Sequence, residues 1–115
     1  MDERLEKSFQ TANYMASLSN LRRVALEEFN QNLIYYTKGS TFKVDRNLIS
    51  FVKTLIDIGN IDSIILDDNN IPVKIDDLQD FFNNILSVYA ESVNHYLIKY
   101  NEIKSKRKVE ALVDL

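Results

Sequence analysis

The sequence predicts an α+β fold that is mainly α: two long antiparallel helices, with a short helix and a small three-stranded β element inserted between them. Three observations carry that expectation. The helix breakers Gly39, Gly59 and Pro72 are few, and all fall in the middle of the chain. On either side, apolar residues recur at the three- and four-residue steps of a helix face. Between them, short runs alternate or cluster apolar residues around turn-forming Asp and Asn.

The first element spans 2–38. Leu5, Phe9, Ala12, Met15, Leu18, Ala25, Phe29, Leu33 and Tyr36 form its main stripe, widened by Tyr14, Leu21 and Val24. Asp2, Glu3 and Glu6 suit the positive end of a helix dipole, and Lys38-Gly39 suits its close. Residues 39–75 form a β-α-ββ insertion. Thr41–Val44 alternates like a short strand, and Asp45 is placed to N-cap a helix that carries Leu48, Ile49, Phe51, Val52, Leu55 and Ile56. Ile58-Gly59-Asn60 stops that helix. A hairpin follows, with 63–66 and 71–75 flanking Asp67-Asp68-Asn69-Asn70, and Pro72 assigns its second strand to an edge. Asp76-Asp77-Leu78-Gln79 has the look of a capping box. The last helix then spans 76–115, with Leu78, Phe82, Ile85, Val88, Tyr89, Val93, Tyr96, Tyr100 and Ile103 on one stripe.

At 115 residues the chain fits a single domain, 1–115, able to bury roughly two thirds of its unfolded surface. No stretch approaches the ~18 consecutive apolar residues of a membrane span. The start, Met-Asp-Glu-Arg-Leu-Glu-Lys, lacks the layout of a signal peptide, so a cytoplasmic location is expected.

The usual catalytic constellations are missing from the sequence, and no enzyme, cofactor or metal site is expected. There is no cysteine and a single histidine, His95, so neither a thiol nucleophile nor a histidine pair for zinc can be assembled. His95 reads as a boundary side chain of the last helix. The two glycines lie too far apart for a phosphate loop. Residues 57–80 hold seven aspartates against one lysine, and Asp67 and Asp68 would be the first ligands of any hard cation there. The ligand spacing, central glycine and closing glutamate of a calcium loop are absent, however, and a polar hairpin tip accounts for the run.

Charge and exposed apolar surface speak to partners. The net charge of −3 argues against a dedicated nucleic-acid coat. Lys99, Lys104, Lys106, Arg107 and Lys108 make a local basic patch, but it is short, is followed by Glu110 and Asp114, and has no interleaved aromatic for base stacking. Nucleic acid is therefore not the expected partner. Two long helices alone form a seam rather than an enclosed core. The insertion covers one end only, which leaves Leu5, Phe9, Tyr96, Tyr100, Ile103, Leu112 and Val113 as the expected interface with another protein or another copy. The expected state is a homo-oligomer without a membrane partner.

Two stretches, Asn13-Tyr14-Met15-Ala16-Ser17-Leu18-Ser19-Asn20-Leu21-Arg22-Arg23 and Ile65-Leu66-Asp67-Asp68-Asn69-Asn70-Ile71-Pro72-Val73, resemble small uncharacterised proteins of contractile-tailed bacteriophages that infect marine cyanobacteria. The abundance of Asn and Ile, as in an AT-rich genome, agrees with such an origin. The resemblance implies a phage origin and favours a virion component or assembly factor in the host cytoplasm or the virion. Together with the missing catalytic motifs and the uncovered apolar stripes, the expectation is a non-enzymatic structural or assembly protein acting through helix-mediated contacts with itself or with other phage or host proteins. The alternative is a small regulator that binds a host or phage transcription or replication protein through its basic C-terminal helix and its terminal apolar peptide.

Overall fold

The structure, a computed structural model, describes the backbone of residues 2–113 and the side chains of 2–106. Among the described residues, three helices and two two-stranded antiparallel sheets follow in the order α1 (Glu3–Asn32), β1 (Ile34–Thr37), β2 (Ser40–Lys43), α2 (Arg46–Asp57), β3 (Ser63–Leu66), β4 (Pro72–Ile75) and α3 (Leu78–Val113). The fold is mainly helical with a small β component, as the breaker pattern predicts. The chain divides into two compact units, residues 31–94 and residues 1–30 with 95–115.

In the unit formed by 31–94, two hairpins flank α2. The first corrects the sequence expectation. The opening helix ends at Asn32, and 34–37 becomes a strand whose residues Ile34 to Thr37 pair with Lys43 to Ser40. Lys38-Gly39 is therefore a hairpin turn rather than a helix end. Both residues have positive φ, 52° and 74°, as the tight turn favoured by twisted strands requires. The ladder extends by one bond, from the Val44 amide to the Leu33 carbonyl at 2.8 Å. The β component is accordingly two separate two-stranded sheets and not one three-stranded element.

The short helix forms as its caps dictate. The Asp45 carboxylate accepts from the Leu48 amide at 2.7 Å. At the far end Gly59 has φ of 98°, and the amides of Gly59 and Asn60 return to the carbonyls of Ile56 and Leu55. That is a Schellman ending, in which a left-handed residue lets the last carbonyls be satisfied.

The second hairpin pairs Ser63 with Ile75 through Leu66 with Pro72. At its tip Asp67 is buried, and its Oδ1 accepts from the amides of Asn69 (2.8 Å) and Ile71 (2.9 Å). Asn70 takes positive φ, 61°. The Asp67 carboxylate is thus committed to holding the turn.

The last helix is capped one residue later than the capping-box spacing suggests. Asp77, not Asp76, accepts from the helix, taking the Asp80 amide at 3.1 Å. Asp76 instead receives the Lys38 ammonium at 2.9 Å, while the same ammonium donates to the Lys74 carbonyl. This contact joins the first hairpin turn to the end of β4. The Lys38 hydrogen bond and charge hold the Asp76 carboxyl below its ordinary value.

These devices surround one core. Phe42, Val44, Val52, Ile65, Ile75, Leu78, Phe81 and Ile85 are buried together, with Tyr35, Leu55, Val73 and Phe82 among the half-covered residues packed on them. Phe81 lies edge-on to both Phe42 and Tyr35, at centroid distances of 5.1 and 5.8 Å. The strands contribute alternate residues to this core, and α2 and α3 contribute one face each.

Candidate protein-protein interface

The unit formed by 1–30 and 95–115 is built differently, because its described residues are helix segments only. Tyr14 donates its hydroxyl to the Lys106 carbonyl at 2.8 Å, Leu18 and Ala25 pack with Ile103, and Phe29 stacks on Tyr96 at 5.1 Å. The partners run in opposite order along the two segments, so within this unit the segments are antiparallel. Ala25 is small enough to let them approach where Ile103 inserts.

Among the described residues of this unit, the buried cluster consists of Leu18, Ala25 and Ile103, supported by half-covered Tyr14 and Tyr96. Beyond it lie exposed apolar side chains. Leu5 is 51% and Phe9 55% exposed. Met15, Leu21, Val24 and Leu26 are also exposed on α1, as are Leu97, Ile98 and Tyr100 on α3. An open groove lies along the pair, lined by Ala25, Leu26, Tyr96, Tyr100 and Ile103 together with the two arginines Arg22 and Arg23.

The residues singled out from the sequence separate into three groups. Leu5, Phe9 and Tyr100 are exposed, and Tyr96 is half covered, with rings stacked on Phe29 and Tyr100. Ile103 departs from expectation. It is 7% exposed, because the antiparallel register sets it against Leu18 and Ala25. Leu112 and Val113 lie outside the residues whose side chains are described. The sequence stripe also overstates the seam, since Met15, Leu21 and Val24 stay 39–48% exposed. The apolar residues of α1 are spread around the helix instead of lying on one stripe, so a single partner segment covers only part of them.

Of the basic patch, Lys104 and Lys106 are exposed and Lys99 is half covered, while Arg107 and Lys108 lie outside the described side chains. His95 meets Glu28 at 3.1 Å with both side chains nearly half exposed, a surface pair that adds its charge term only when the imidazole is protonated. Among the described residues, no group of three or more His, Cys, Asp or Glu side chains is placed to hold a metal. No helix among them is long and apolar enough to cross a membrane.

Comparison of the chain with protein-family models, with curated proteins and with solved structures gives no match.

Proposed function

We propose that this protein is a non-enzymatic structural or assembly component that works by associating with further copies of itself through its long helices. One observation supports this above the others. The helix pair of 1–30 and 95–115 buries three described side chains, yet exposes three times as many large apolar ones along the same segments. Apolar side chains left in water along these helix segments are what contact with another protein removes. The Tyr96–Tyr100 pair beside the groove supplies rigid aromatic area of the kind that anchors interfaces. In this reading the assembly forms in a virion or in the host cytoplasm, the setting that the resemblance to small proteins of contractile-tailed phages would imply.

Light scattering on the full chain across a concentration series tests this. The expected result is a mass that rises above the monomer value of 13.4 kDa, with little binding of an apolar dye once the assembly forms. A constant monomer mass up to several hundred micromolar would remove the proposal.

A further inference from the structure

The geometry points to one specific contact between copies: α1 pairs antiparallel with α1 of a second copy through the face Leu5–Phe9–Ala12–Ala16. This rests on the self-association proposed above and names its partner, direction and register.

The four residues follow one another at steps of four, three and four, the spacing of a coiled-coil seam. At about 100° per residue they fall within an arc of roughly 60° on the helix surface. That arc lies opposite the one formed by Tyr14, Leu18 and Ala25, which is occupied by α3 residues within the same unit. All four are exposed, Leu5 and Phe9 at 51% and 55%. The intramolecular seam therefore leaves this second stripe uncovered.

Its residue sizes indicate what covers it. Large Leu5 and Phe9 come first, and small Ala12 and Ala16 follow. When two such helices run in opposite directions about a two-fold axis, Leu5 of each copy falls opposite Ala16 of the other, and Phe9 opposite Ala12. Every layer then joins one large residue to one small one, and the two-fold operation makes the same patch serve both copies. A parallel pairing would set Phe9 against Phe9 and Ala12 against Ala12, leaving alternate clashes and gaps.

Charge selects the same direction. Parallel helices would bring the Asp2, Glu3 and Glu6 carboxylates of the two copies side by side. In the antiparallel register that acidic turn instead lies opposite residues 15–19 of the second copy, Met-Ala-Ser-Leu-Ser, which carry no charge. The helix dipoles are opposed as well. With few residues contributed per copy, the contact belongs to the small class of interfaces, and a dissociation constant of about 10–100 μM is expected.

The chain has no cysteine, so single thiols report the register directly. Leu5→Cys and Ala16→Cys are made separately in the full chain, checked for unchanged helix content, and oxidised alone and mixed. The mixture is expected to form a disulfide-linked dimer. Each variant alone is not, since like positions would lie ~16 Å apart along the axis. A linked dimer of Leu5→Cys alone would mean parallel pairing and overturn the proposal. Association by light scattering without cross-linking in the mixture would overturn this face while leaving self-association standing. A chain that is monomeric throughout removes both. Ala12→Glu supplies a second measurement: it is expected to raise the dissociation constant at least tenfold with the circular dichroism spectrum unchanged, and an unchanged constant counts against the contact.

Discussion

The two units of this protein solve the problem of burying apolar side chains with unequal means. Residues 31–94 use two hairpins and two helix faces to enclose eight side chains, among them Phe42, Val52, Leu78 and Ile85. Among its described residues, the unit of 1–30 and 95–115 has helix segments alone, and its buried cluster is Leu18, Ala25 and Ile103. The helix α2 gathers its apolar residues on one face and joins a closed core, whereas those of α1 are spread around it and meet α3 in a seam. The difference lies in how many directions supply cover. A side chain walled by strands and helices can lose nearly all its water, whereas one between two cylinders keeps an open flank.

The largest effects should come from breaking the closed unit. Phe42→Ala removes a fully buried ring that stacks edge-on against Phe81, and should lower unfolding stability by about 3–5 kcal/mol. Denaturant titration checks this. The loss should appear as faster amide exchange throughout 31–94.

Leu18→Ala makes a comparable deletion in the open seam, at a side chain 4% exposed. Its flank can collapse and admit water, so the cost should sit near the low end of the range, about 2 kcal/mol. Exchange should quicken in 1–30 and 95–106 while 31–94 keeps its protection. Equal effects from the two truncations would show that the seam is as well enclosed as the core.

Gly39→Ala probes a turn and not a core. No heavy atom outside its immediate chain neighbours lies within 4 Å of an added Cβ, so the cost is confined to the positive φ of 74°. About 1–2 kcal/mol is expected from thermal unfolding, with the core residues unchanged in spectra.

The smallest effect concerns Asp76 and Lys38. Because the ammonium lowers the folded-state carboxyl pKa, the pair adds stability above the unfolded pKa and loses it as pH falls through the folded one. Lys38→Met should therefore cost little near neutral pH, and the gap from the unsubstituted chain should close between about pH 5 and pH 2. Denaturation midpoints along that pH series measure it. A gap that widens in acid would contradict the pairing.

Local chemistry made several elements legible before any packing was considered. Asp45 caps a helix because a short carboxylate reaches an amide three residues on, and Gly59 ends one because glycine, lacking a Cβ, takes a left-handed backbone at no steric cost. The Asp67–Asn70 turn follows from residues that bond their own backbone. The interface candidates were partly legible. Leu5 and Phe9 stand exposed as their position at the uncovered end suggests. Ile103 belongs to the same periodic stripe, and nothing near it in sequence reveals that Leu18 and Ala25 cover it.

What the sequence by itself determined is the set of decisions made within a few residues: where helices are capped, where chains turn, and which stretches are helical over most of their length. The tertiary structure decided the rest. Leu33 and Tyr36 fit a helix stripe, yet Ile34 to Thr37 becomes a strand because 40–43 pairs with it and Tyr35 meets Phe81 from far along the chain. Likewise, periodicity marks a helix face as apolar without saying what covers it. That depends on which distant segment arrives, and in the unit of 1–30 and 95–115 one arriving segment leaves part of the face uncovered.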